Sequence, residues 1–288
     1  MTDKAVKSAP LSHSDIRQLI RSHLLTFSPA ERRVADVVLS DSLELLDTSV
    51  TELAERANTS AASVVRMCTS IGLRGYQELK TRLALEHIPV THLDSDSERD
   101  GHNLTTTILR DFAAALRDTA STLDMESVNE VVAEILSAQR IQLAAVGTSA
   151  MLASDCAYRL STLGLNVTYV ADVHAQHIQA RMLREADLLF AISHTGSTFE
   201  TLAAARAAKA SGAKVVALTS FTRSPLTELC DRTIIAGSAE TRIRVEAVTS
   251  RLVHLAVLDA LHIILKRQVP DVERYLQATA DVLAEHRF

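Results

Sequence analysis

The sequence predicts a small all-helical module followed by a larger α/β module on a parallel sheet, an α + α/β chain of two domains. Three observations predict it. Residues 1–88 carry repeated helix-start signals and helical apolar spacing. Residues 89–102, PVTHLDSDSERDGH, turn polar, with four acids against one arginine and no periodicity, and read as a linker. Beyond Arg140, short apolar runs alternate with helical stretches at the spacing of βαβ units. At 288 residues the chain also exceeds the roughly 100–200 residues of a typical single domain.

In the first module, Ser28-Pro29-Ala30-Glu31 is a capping box with proline at the first helical position, and Val34, Val37, Val38 and Leu39 continue a helical stripe. Ser49-Val50-Thr51-Glu52 repeats the Ser-x-x-Glu signal, and Ser60 offers a third N-cap a few residues later. Residues 51–71, TELAERANTSAASVVRMCTSI, have the spacing of a helix-turn-helix: Leu53 and small Ala54 face inward, and Asn58 tolerates the left-handed turn. Val64, Met67 and Ile71 then line the inner face of the second helix. Its outer face is expected to present Ser60, Ala62, Ser63 and Arg66 to a DNA major groove, with Arg66 able to read guanine and the cap serine able to hold a phosphate. A plain helical hairpin has the same spacing. Local charge supports a specific contact rather than a broad basic surface: Arg56, Arg66, Arg74, Lys80 and Arg82 stand against Glu52, Glu55 and Glu78, in a chain whose net charge is −5, and Lys80 is expected to join the DNA contact.

In the second module, Leu104, Ile108, Phe112 and Leu116, then Val128, Val131, Ile135 and Leu136, give two helices. Strands are predicted at 141–146, 167–170, 187–192, 214–219 and 232–237, with helices at about 149–163, 174–184, 198–211 and 246–267. Phosphate loops in such folds lie where a strand ends and a helix begins. Gly147, Thr148 and Ser149 follow the first strand; Ser193, His194, Thr195, Gly196, Ser197 and Thr198 follow the third. Glycine is scarce, 8 in all, and two of them sit in these loops. Neither loop is a Walker A or dinucleotide motif. Either loop alone is also consistent with an ordinary Ser/Thr helix cap; together they favour a site.

Other classes are disfavoured. No run approaches the ~20 apolar residues of a membrane span, so no membrane partner is expected. The N-terminus has no signal-peptide h-region. Cys68, Cys156 and Cys230 show neither disulfide nor metal spacing, which fits a reducing, cytoplasmic location. His174 and His177 share a helix face without a third ligand, so no metal or other cofactor is predicted. Aromatics at 3% without tryptophan disfavour single-strand stacking.

The run from Phe27 to Leu83 resembles the N-terminal domain of RpiR-family transcriptional regulators, in SPAERRVADVVL, ELAERA, the Ser-x-x-SVVR helix and the closing GLRGYQELK. Asn58 and Thr59 depart from it at the turn, where the family usually has glycine and an apolar residue. Residues 141–236 resemble a SIS, or sugar isomerase, domain. The resemblance implies a helix-turn-helix domain at 1–88 and a sugar-phosphate-binding domain with flanking helices at 103–288. It assigns phosphate binding to Ser149, Ser193, Thr195 and Thr198; Thr195 replaces a usual serine and keeps the hydroxyl. His194 stands where relatives carry Gln or His, Ser197 where Glu is common, and Glu246 near a carboxylate that serves as base in SIS isomerases. The resemblance further implies a symmetric homodimer or homotetramer on a palindromic double-stranded operator. The resulting expectation is a regulator of carbohydrate metabolism tuned by a sugar phosphate, the alternative being a sugar-phosphate isomerase with a helical assembly domain.

Overall fold

The structure, a computed structural model, describes residues 16–24, 26–40, 45, 48–86, 101–237 and 248–286. The chain divides into two compact units, Met1–His92 and Leu93–Phe288. The division falls inside the predicted linker. Of that linker, Gly101 and His102 already belong to a helix, and 89–100 lie outside the described residues.

The first unit contains α1 (Ile16–His23), α2 (Pro29–Ser40), α3 (Val50–Arg56), α4 (Ala61–Ser70) and α5 (Tyr76–Glu86). Both predicted capping boxes form. Ser28 and Glu31 bond reciprocally at the start of α2, with the Ser28 amide donating to Glu31 Oε2 at 2.8 Å. Ser49 and Glu52 do the same before α3, at 2.7 and 3.2 Å. Ser60 accepts from the Ser63 amide and opens α4. Asn58 adopts φ +47, and the Thr59 amide returns to the Ala54 carbonyl at 2.8 Å, closing the turn between α3 and α4. Leu53, Val64, Met67 and Cys68 are fully buried at the centre of this unit.

In the second unit, α6 (Gly101–Thr122) and α7 (Met125–Ser137) precede the sheet. Then follow β1 (Ile141–Ala144), α8 (Ala150–Ser161), β2 (Val167–Thr168), α9 (Val173–Arg181), β3 (Leu188–Ile192), α10 (Phe199–Ala210), β4 (Lys214–Thr219), β5 (Arg232–Ile235), α11 (Val248–Lys266) and α12 (Val272–Glu285). The five strands are parallel in the order β2-β1-β3-β4-β5, with Ile141 opposite Leu188 and Leu188 opposite Lys214.

Alternate residues of each central strand enter two separate cores. Leu188, Phe190 and Ile192 face the side covered by α6, α7, α8 and α11; Leu189 and Ala191 face α9 and α10. That second core is mostly alanine, so α10 lies close on the sheet. A sheet buried on both faces explains why its strands read as uninterrupted apolar runs. Helix α11 is long and apolar enough to cross a membrane by length and composition, but Val253, Val257, Leu258, Leu261 and Leu265 are buried against the sheet, which is the pattern of a core helix.

Candidate functional site

In the first unit the candidate site is the exposed face of α4. Ala62 and Arg66 are exposed there, and so are Ser60 at the cap and Val65, at 42%. Ser63 is not on that face. It is 3% exposed, its hydroxyl lies 3.1 Å from Ser60 Oγ, and it accepts a hydrogen bond from Arg66 Nη2 at 2.9 Å. Its position corrects the expectation of a groove contact: Ser63 orients the Arg66 guanidinium from behind. Lys80 also departs from expectation. It is 1% exposed, with Nζ 3.5 Å from the Thr48 carbonyl oxygen and 5.9 Å from the centre of the Tyr76 ring, so its ammonium serves the interior of α5 and not a DNA phosphate.

A feature the sequence did not disclose supports this face. Arg33 of α2 donates from Nε to the Ala57 carbonyl and from Nη2 to the Asn58 carbonyl, each at 3.0 Å, and so ties down the turn that sets the α4 angle. Glu31 accepts from Ser70 Oγ at the other end of α4 at 3.0 Å. Hydrogen bonds from the Ser28 hydroxyl and amide, with Ser70 and nearby Arg66 adding to them, hold the Glu31 carboxyl below its ordinary range.

In the second unit, the strand order places a topological switch between β1 and β3: the chain leaves β1 toward β2 on one side, and β3, β4 and β5 extend on the other. Ligands of open α/β sheets bind beyond the carboxyl ends of the strands at such a switch. Both predicted loops stand there. Gly147, at φ +59, and Thr148 are exposed, and with Ser149 they form a single 3-10 turn leading into α8. Ser149 is buried.

In the second loop, Ser193 Oγ accepts from the Gly196 amide at 3.2 Å and lies 3.3 Å from Thr198 Oγ1. Thr195 Oγ1 accepts from the Ser197 amide at 3.3 Å, and Ser197 Oγ donates to the Thr195 carbonyl. Gly196, at φ +61, presses on the segment after β4: a Cβ there would meet Ser224 Oγ at 2.1 Å, and the Leu226 amide donates to its carbonyl. The loop is therefore held in one shape by its own hydroxyls and by that neighbour.

The cap geometry of these two loops differs from that of α3, α4, α7 and α9. Ser49, Ser60, Asp124 and Asp172 all accept from their helix's first amides. Ser149 and Thr198, at the N-cap positions of α8 and α10, do not. The first amides of α10 are thus not closed off by its cap side chain. Helix α8 is extended backwards by the 3-10 turn, where the Ala150 amide donates to the Gly147 carbonyl and the Ser149 amide to the Val146 carbonyl, and the turn itself starts after Val146 with no side-chain cap. Helical N-termini after β1 and β3, the two strands that flank the switch, suit an anion.

His194 lies at the base of this loop, 9% exposed. Its Nδ1 is 2.8 Å from Ser220 Oγ, which is 3.1 Å from His254 Nε2; that nitrogen is also 2.8 Å from the Ala236 carbonyl oxygen. His254, in α11, is 1% exposed, and burial together with the neighbouring His194 pushes it down to about 4. Neither Ser220 nor His254 was anticipated. The available signal was a histidine inside the apolar stripe of α11. Glu246 lies outside the described residues. Among those described, no group of three metal-ligating side chains occurs, and His174 and His177 stand on α9 as an exposed and a half-exposed residue. Burial pushes the thiols of Cys68, Cys156 and Cys230 up to about 12, so they behave as inert thiols.

Comparison with known proteins agrees with the two-unit division. Residues 14–88 match the model of the helix-turn-helix domain of the rpiR family, and residues 134–264 match that of the SIS domain. An HTH-type transcriptional regulator of Caldanaerobacter subterraneus subsp. tengcongensis is 32% identical over 275 residues, covering 94% of this chain and 98% of that one. Another from Thermotoga maritima is 32% identical over 282 residues, covering 95% and 100%. Among solved structures, the Vibrio vulnificus NanR protein complexed with ManNAc-6P superposes with a TM-score of 0.79 at 28% identity, over 95% of this chain and 99% of that one. The sugar isomerase domain of an RpiR transcription factor from Sphaerobacter thermophilus, at 22% identity and a TM-score of 0.56, shares the fold over 62% of this chain. With a helix-turn-helix unit, a SIS unit and full-length relatives of the same arrangement, this chain belongs to the RpiR family of HTH-type transcriptional regulators.

Proposed function

We propose that the chain reads double-stranded DNA with α4 and that a sugar phosphate bound between β1 and β3 tunes its affinity for that DNA. The observation that carries this reading is the pair of helical N-termini after β1 and β3, one starting at Gly147 and the other after Thr198, where no cap side chain closes the first amides. Ser149, Ser193, Thr195 and Thr198 supply hydroxyls to the phosphate, with the backbone of Gly147, Thr148, Gly196 and Ser197. His194 and, outside the described residues, Glu246 meet the sugar. NanR, similar along nearly its whole length, is seen with ManNAc-6P, which supports an amino-sugar or hexose 6-phosphate as the ligand class.

On DNA, Arg66 reads a base, Ala62 and Val65 offer apolar contact to a thymine methyl, and Ser60 approaches the backbone. A homodimer or homotetramer would place two α4 helices on a palindromic operator, about one helical turn apart. We read the second unit as a cytoplasmic sensor and not as an isomerase. The similarity along nearly the whole chain to HTH-type transcriptional regulators supports that reading, and isomerisation would need a positioned base and acid at the sugar.

A thermal-shift panel of sugar phosphates tests the reading. A true ligand at 100 times its Kd stabilises the protein by about 2.7 kcal/mol, and Ser193→Ala should remove that shift. A panel with no response, or steady isomerase turnover by the purified protein, would overturn it.

A further inference from the structure

The chain His194–Ser220–His254–Ala236 runs from the ligand loop through the end of β4 into α11 and back to the end of β5, and its hydrogen-bond roles can be worked out from one end. The Ala236 carbonyl only accepts, so His254 Nε2, 2.8 Å away, must carry a proton. His254 is neutral, since burial holds it well below its ordinary value, so that proton sits on Nε2 and Nδ1 is bare. The same N–H faces Ser220 Oγ at 3.1 Å, so Ser220 accepts there. Of the two ring nitrogens against the Ser220 hydroxyl, only His194 Nδ1, at 2.8 Å, can then receive its proton. The chain closes from end to end when Ser220 donates to His194 Nδ1, and a singly protonated His194 ring then carries its proton on Nε2.

We propose that His254 and Ser220 are positioning residues of the effector site: their hydrogen-bonded chain fixes His194 as the Nε2–H tautomer, so that it meets a phosphorylated ligand as a directed neutral donor. The proposal rests on the reading of this crevice as the sugar-phosphate site. The neighbourhood is built to hold the chain. A Cβ on Gly237 would meet Ser220 Oγ at 2.3 Å and its Cβ at 2.5 Å, so the backbone after β5 backs directly onto Ser220. The His194 carbonyl accepts from the Ser220 amide and from Thr219 Oγ1, both at 3.0 Å, which fixes the His194 backbone to the same strand end. Loop residue and relay therefore move as one piece. A plain hydrophobic residue at 254 would fill α11 equally well and leave the tautomer of His194 unset.

The test is two-bond proton–nitrogen NMR on the full chain uniformly labelled with 15N, followed by titration with inorganic phosphate as the probe, read at the histidine rings and at the backbone amides. In the wild type, His194 should show a protonated Nε2 and an acceptor-type Nδ1. Both Ser220→Ala, which cuts the chain at a half-exposed residue, and His254→Leu should give a mixed or inverted tautomer. Each should weaken phosphate binding on the order of ten-fold, the loss of one well-aimed donor to an anion. His254→Gln, whose amide can still donate to Ala236 and Ser220, should restore both readings. An Nδ1–H or doubly protonated His194 in the wild type at neutral pH would overturn the proposal, as would an unchanged tautomer in folded Ser220→Ala. If the wild-type tautomer is as described but phosphate leaves the Ser193 and Thr198 amides unmoved, it is the effector-site reading that fails.

Discussion

Arg66, Ser63 and Lys80 are three polar residues within one short stretch of the head, and burial gives them three different duties. Arg66 is exposed and pinned by Ser63. Arg66→Ala should cost operator binding roughly 1–3 kcal/mol and relax preference at one base pair, measured by titration against variant duplexes. Lys80 lies against Thr48 and Tyr76 inside the unit. Lys80→Met should therefore leave the salt dependence of DNA binding unchanged, whereas loss of a true phosphate contact would reduce the slope by about one. Helical spacing made the Arg66 position legible in the sequence. It could not reveal that Ser63 and Lys80 turn inward, because their burial is set by residues from other helices: Tyr76 is held by the Leu45 and Thr48 carbonyls. His254 was hidden for the same reason, and it brings a pH dependence. Its folded pKa, about 4, lies below the ordinary 6.5, so the unfolded chain binds the extra proton first. Stability should then fall as pH drops from about 6.5 toward 4, by up to about 1.4 kcal/mol per unit. Denaturant melts of His254→Gln beside the wild type should show a shallower acid limb in the variant.

At the scale of the element, some helix starts are closed by their cap side chain and others are not. Ser49 closes α3 reciprocally with Glu52, so Ser49→Ala should destabilise the head by about 1 kcal/mol. Thr198 occupies the equivalent place on α10 without capping it. Thr198→Ala should cost stability much less, within about 0.5 kcal/mol, while weakening sugar-phosphate binding. Paired thermal melts and ligand titrations check both. The sequence signals for these two starts look alike, and only the cap geometry tells them apart. The strands were legible because a sheet covered on both faces demands continuous apolar runs, as in Leu188–Ile192 and Lys214–Thr219. The ends were less so: β2 stops at Thr168, two residues short of expectation, as Tyr169 turns to bond the Ala145 carbonyl. Helix α12 was not anticipated, although Val272, Tyr275, Leu276 and Leu283 recur at helical spacing; Val272 is buried and Leu276 packs against the core.

Across the whole molecule, regulation of the kind proposed requires that the α4 reader and the effector site after β1 and β3 be linked. Such coupling is reciprocal: a ligand that weakens DNA binding must itself bind less tightly to the DNA complex, by the same factor. The two-domain organisation was legible from the change of periodicity at Arg140 and from the polar stretch before Gly101. How the linkage runs was not, since coupling depends on two alternative arrangements of one chain and a sequence pattern records neither. The most direct measurement is the affinity of the full-length protein for a duplex selected from a random pool, with and without a saturating sugar phosphate found by thermal shift. A ligand-dependent change of about 5–150-fold is expected in the wild type, and no change for Ser193→Ala, which should still bind the duplex. Equal DNA affinity with and without a ligand shown to occupy the crevice would contradict it.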